Sequence, residues 1–223
     1  MAIIEPVRRE TEPPYEIKKN SASIRFWHWA NTIVIAGSLI TVLINSTITN
    51  QGKTSALVKD QLQTVNINVS TNQARSVAHA LSDKVWDIHI YFGYCLAALL
   101  LFRLLLEFFQ VADQKFIRRL KSAYSQFNTI KKDREAKMHE LSVKIIYGAF
   151  YIVLIIMVLT GLCLTFESIA FLKPFRHRLR NIHGFGMYVI LAFIIVHLVG
   201  VFLAERRGSK GIVSDMINGG GQS

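Results

Sequence analysis

The chain has 223 residues, 51% of them hydrophobic, with 14 Phe and 7 Tyr, a content that in a soluble domain would leave no surface able to face water. Its formal charge of +11 comes from basic residues distributed among the segments between apolar runs, not gathered on one soluble face, which argues against a nucleic-acid binder. Only two cysteines are present, Cys95 and Cys163, and both fall in apolar runs, where a thiol acts as a small apolar side chain.

In chain order, residues 1–23 are polar, carry Pro6, Pro13 and Pro14, and lack the short apolar core of a cleavable signal, so the first span is expected to stay in the mature protein. Four apolar runs follow: Phe26 to Ile44, Ile88 to Phe109, Ile145 to Phe166 and Ile182 to Ala204. Each is long enough to cross a hydrocarbon core of about 30 Å as a helix. Glycines within or at the edge of these runs, among them Gly37, Gly93, Gly161, Gly186 and Gly200, let a neighbouring helix or a flat ring approach the backbone and leave room for a homodimer. The first connection, from Asn45 to Val85, is rich in Ser, Thr, Asn and Gln and suits a folded extracytoplasmic cap. Within it Val65, Ile67 and Val69 alternate as in a short strand, and Ala74 to Leu81 reads instead as an amphipathic lead-in to the second span. The second connection, Val111 to Glu140, mixes basic residues with Phe116, Ile117, Leu120, Tyr124 and Phe127. It is either an amphipathic helix on anionic headgroups or a solvated connector.

Basic residues set the topology. The amino-terminal segment, the second connection and the tail together hold sixteen Lys and Arg, and the first and third connections hold eight. The positive-inside rule then puts both termini of this multi-pass membrane protein in the cytoplasm, although the third connection is unusually basic for an outer one.

Four histidines lie on the spans: His28, His89, His183 and His197. Ionisable side chains are rare within spans and usually face an interior, where they bind a cofactor, relay protons or pair with one another. His183 and His197 are fourteen residues apart, about four helical turns, so both imidazoles share one face with a rise of about 21 Å between them. With the amino terminus inside, His89 and His183 open their spans at the outer surface, while His28 and His197 lie toward the cytoplasm. Two depth-matched pairs, His89 with His183 and His28 with His197, point to two bis-histidine b haems. A lone histidine of this kind is as easily an interfacial residue bonded to a carbonyl; four at matched depth favour haem. His79 and His177 are expected to be solvated, and His139 stands where a quinone head group could find a partner.

Arg103 interrupts an apolar run on the face of His89. Its anion is either a haem propionate or Glu107, four residues on. Arg25 reaches a propionate or snorkels to headgroups. Trp27 and Trp29 flank His28 as an aromatic belt or as haem packing. The expected fold is all-α: an integral membrane four-helix bundle holding two haems, with an extracytoplasmic first loop. It divides into a cytoplasmic segment 1–23, a dihaem domain 24–205 and a cytoplasmic tail 206–223.

The run Ile24-Arg25-Phe26-Trp27-His28-Trp29, the segment from His89 through Arg103, the run Ile182-His183-Gly184-Phe185-Gly186-Met187 with His197 after it, and the tail from Gly211 to Gly219 together resemble the b-type cytochrome subunit of membrane-bound nickel–iron hydrogenases. Formate dehydrogenase membrane subunits and stand-alone bacterial cytochromes of the same superfamily are similar. The first loop departs from these relatives. The resemblance implies a subunit that anchors a hydrogenase small subunit, with its iron–sulfur clusters, at the outer face and passes electrons through the four histidines to membrane quinone. Hydrogen chemistry would belong to the partner, because two span-bound Cys cannot hold nickel or a cluster. The alternatives are a stand-alone cytochrome b quinone oxidoreductase and a bundle whose histidines relay protons or bind metal. A quinone is expected near His28, Asn31, His139 and His197.

Overall fold

The computed structural model describes residues 21–109, 134–166, 169–206 and 211–219. Among the described residues are six α-helices, in chain order α1 (Ala22–Thr47), α2 (Gln51–Thr64), α3 (Thr71–Phe109), α4 (Arg134–Thr165), α5 (Arg176–Arg206) and α6 (Ile212–Asn218), with a 3-10 turn at Ala170–Phe175 leading into α5. Among the described residues, four stretches are long and apolar enough to cross a membrane, Ala22–Thr47, Thr71–Leu106, Leu141–Thr165 and Ala170–Arg206. Each contains one of the apolar runs of the sequence to within a few residues. Hydrocarbon offers backbone groups no partner, so a spanning segment must satisfy its own N–H and C=O groups, as a helix does. The large apolar side chains Ile33, Tyr91, Ile152 and Phe185 are all at least 60% exposed on the isolated chain, which suits a surface solvated by lipid and not by water.

The chain divides into two compact units, residues 29–196 and a unit made of both ends, residues 1–28 with 197–223. In the first, α2 packs against α3, and α3 against α4. The first connection is helical, not a strand. Asn50 caps α2 by accepting the Lys53 N–H at 3.3 Å, and the chain then turns through Asn66, whose φ of 60° lies in the left-handed region that Asn tolerates. The Val65 and Ile67 amides bond back to the Leu62 carbonyl, so the alternation at Val65, Ile67 and Val69 is consumed by a turn that has no partner strand among the described residues. Ser70 and Gln73 form a reciprocal capping box, with the Ser70 N–H on Gln73 Oε1 at 2.8 Å and the Gln73 N–H on Ser70 Oγ at 3.2 Å. That box starts α3, so Ala74 to Leu81 is the lead-in to the second span. Ala74, Ala78 and Ser82, spaced four apart, are buried and give α3 a stripe of small side chains that neighbours can approach closely. Close approach also explains two glycines: a Cβ at Gly37 would overlap the Phe92 ring, and one at Gly186 would overlap the Met157 sulfur.

In the unit of both ends, the short α6 is held at each terminus. Glu205 accepts the Gly211 N–H at 2.7 Å and the Ile212 N–H at 3.1 Å, two of the amides a helix start leaves without an intrahelical acceptor. Arg25 donates through Nη1 to the Ile217 carbonyl. Gly211 and Gly219 bracket α6 with φ of 92° and 102°, a conformation glycine adopts without steric cost. The surface helix considered for 111–140 and the segment 1–20 lie outside the described residues, apart from 134–140, the first turns of α4.

Candidate functional site

In the unit of residues 29–196, His89 of α3 and His183 of α5 face each other with ring centroids 6.3 Å apart and planes at 83°. The polar partners of both rings come from hydroxyls placed in otherwise apolar helices. Thr41 of α1, 4% exposed, donates its hydroxyl to the Ser38 carbonyl at 2.6 Å and meets His89 Nδ1 at 2.9 Å. Ser38 adds its Oγ and its carbonyl, each 3.3 Å from the same nitrogen. A carbonyl can only accept and the Thr41 proton is already committed, so Nδ1 carries the proton and Nε2 keeps its lone pair. The arrangement recurs on His183. Thr160 of α4, 7% exposed, donates to the Ile156 carbonyl at 2.7 Å and lies 3.0 Å from His183 Nδ1. Gly161 makes room for that ring, since a Cβ there would stand 3.2 Å from His183 Cε1. Trp86, one turn before His89, sets its ring edge-on to the imidazole with centroids 5.3 Å apart.

In the unit of both ends, His28 of α1 and His197 of α5 also stand 6.3 Å apart, with planes at 57°. Trp27 beside His28 is buried, while Trp29 is 41% exposed.

An imidazole–metal bond is about 2.0 Å. Two such bonds on opposite sides of one metal, with the distance from each nitrogen to its ring centre added, bring the centroids to a separation like that found in both pairs. Haem iron accepts imidazole on either face. The donor sets therefore fit a haem: two half-buried, facing imidazoles per site and, at His89 and His183, a tautomer that directs Nε2 to the metal.

The arginines singled out in the sequence are both engaged with protein. Arg103 donates Nε–H to the Tyr151 hydroxyl at 3.2 Å, with its guanidinium 5.8 Å from the centre of that ring, and Arg25 holds the tail helix as described. The side chains of Glu107 and His139 lie outside the described residues. Asn31 is buried at 5% exposure. His79 and His177 are exposed and each meets an amide side chain, Gln51 at 3.1 Å and Asn181 at 3.3 Å. Sequence reading missed Ser38, Thr41, Tyr151, Thr160 and Trp86. The hydroxyls had one signal, an OH inside an apolar span, but which imidazole each would meet depends on how the helices are rotated against one another.

A family model described as prokaryotic cytochrome b561 matches residues 20–219, nearly the whole chain. No curated protein and no solved structure shows significant similarity to it.

Proposed function

The chain belongs to the prokaryotic cytochrome b561 family, the family of nickel–iron hydrogenase b-type cytochrome subunits, and is accordingly a haem-holding membrane electron carrier; we propose that it holds two b haems and passes electrons from a hydrogenase at the outer membrane face to membrane quinone. In this reading His89 with His183 and His28 with His197 each occupy both axial positions of one haem. Bound haem supplies a one-electron couple at an iron closed to small substrates. The observation that carries the reading is the pairing itself: two facing imidazole pairs, each with centroids 6.3 Å apart. Beside their contacts with the Ile217 carbonyl and Tyr151, Arg25 and Arg103 are assigned a second role toward the haem carboxylates, since a guanidinium offers several donors in a planar fork.

Topology follows from loop charge. With the more basic connections inside, both termini are cytoplasmic, and His89 and His183, which open the second and fourth spans, belong to the outer side. Electrons enter there from the iron–sulfur clusters of a hydrogenase small subunit, which the chain anchors, and quinone in the lipid receives them. Glycine-bearing helices leave a homodimer open to the same chain.

The test is haem content per polypeptide in detergent-purified protein, with oxidised and dithionite-reduced spectra. Two b haems in the wild type and one in His197→Ala are expected; loss of neither haem in His197→Ala would sink the ligand assignment. The family description, prokaryotic cytochrome b561, also fits a second reading, a stand-alone cytochrome b quinone oxidoreductase. Purification from native membranes separates the two, because a subunit brings a hydrogenase with it and a stand-alone enzyme does not.

A further inference from the structure

We propose that Thr41 and Thr160 are positioning residues for electron transfer: each accepts the Nδ1 proton of one imidazole of the His89–His183 pair, fixes its tautomer, and lowers the reduction potential of the haem that pair holds. The proposal rests on the assignment of His89 and His183 as haem ligands.

The two threonines are built alike. Each belongs to a long apolar helix, each is almost fully buried, and each spends its own proton on a carbonyl of its own helix, Thr41 on Ser38 at 2.6 Å and Thr160 on Ile156 at 2.7 Å. Such back-bonding is the usual way a helix tolerates a buried hydroxyl, and it has a second effect here. With the proton pointing back at the backbone, the oxygen lone pairs point away from it, toward His89 Nδ1 at 2.9 Å and His183 Nδ1 at 3.0 Å. A hydroxyl locked in that direction can only accept. Each imidazole must therefore be the Nδ1–H tautomer, with Nε2 available to iron on the other side of the ring.

Hydrogen bonding at the far nitrogen raises the basicity of a metal-bound imidazole. Greater basicity stabilises ferric over ferrous iron, so the potential falls. A buried hydroxyl in a low-dielectric span has no water to compete for the proton it accepts, which strengthens the effect. Both axial ligands of one haem receive the same treatment from two different helices, so their contributions act in the same direction.

The experiment is a potentiometric titration of both haems in purified wild type, Thr41→Val, Thr160→Val, the double valine variant, and the serine variants Thr41→Ser and Thr160→Ser. Valine keeps the shape and removes the acceptor, and serine keeps the acceptor and removes the methyl. The expected result is an upward shift in the midpoint of one haem in each valine variant, an additive or larger shift in the double variant, an unchanged second haem, and wild-type midpoints in both serine variants. Unchanged midpoints in valine variants that retain two haems would overturn the proposal, as would equal shifts in valine and serine, which mark a packing effect. If a valine variant loses haem while its serine counterpart keeps both haems at wild-type midpoints, the hydroxyl is needed to orient the ligand and the positioning role stands. Failure of the ligand assignment looks different: His89→Ala would then keep both haems, whatever the threonine variants do.

Discussion

His89 and His183 meet at nearly a right angle, 83°, whereas His28 and His197 meet at 57° over the same 6.3 Å centroid separation. If each pair holds a haem as proposed, crossed ligand planes would leave the iron orbitals that overlap with each imidazole nearly equal in energy, and ferric low-spin iron would then be strongly anisotropic. Two distinguishable low-spin signals are expected in the EPR spectrum of the oxidised protein. The more anisotropic one should vanish in His183→Ala and survive in His28→Ala; one signal shared by both sites would contradict the difference in plane angle.

Gly161 is a spacer for an imidazole. A methyl there would press on His183 Cε1 at 3.2 Å, so Gly161→Ala is expected to rotate the ring away from Thr160 and to lower haem retention at that site by a measurable fraction. Gly37→Ala meets an aromatic ring in place of a ligand, with Phe92 in its way. Its expected cost is the overpacking penalty of about 1–3 kcal/mol, read as a lowered midpoint of thermal unfolding with the ratio of haem to folded protein unchanged.

The tail helix depends on Glu205. Removing the carboxylate in Glu205→Ala releases the Gly211 and Ile212 amides and should weaken α6 by about 1 kcal/mol, the size of a lost helix cap. Hydrogen exchange should rise several-fold between residues 211 and 219 and stay the same at α4. Arg25→Ala should raise exchange in the same segment by releasing the Ile217 carbonyl; a change confined to haem potential would instead assign Arg25 to a propionate alone.

Ser70→Ala removes one half of the capping box that starts α3. The expected loss is about 1 kcal/mol of stability, seen as a lower thermal midpoint in detergent. Haem spectra should not change, because the box is nearly twenty residues before His89.

The four spans were legible in the sequence for a simple reason. Runs of some twenty apolar residues have one stable arrangement in hydrocarbon, a helix, whatever their neighbours are. The four histidines stood out because an imidazole in such a run is uncommon and costly without a task. The loop between the first two spans was less readable. Alternation of Val65, Ile67 and Val69 is a strand signal only if a partner strand exists, and the local capping chemistry of Asn50, Ser70 and Gln73 produced two helices with a turn at Asn66.

By itself the sequence determined the all-helical membrane-spanning architecture, since length and apolarity are properties of each segment alone. Helical periodicity also placed His183 and His197 on one face of a single helix. Only the tertiary structure decided which hydroxyl meets which imidazole, that Arg103 turns to Tyr151, and that Arg25 closes on the tail helix. Those contacts join residues 23 to 192 positions apart. They depend on the rotation and depth of each helix against its neighbours, which periodicity along one helix does not contain.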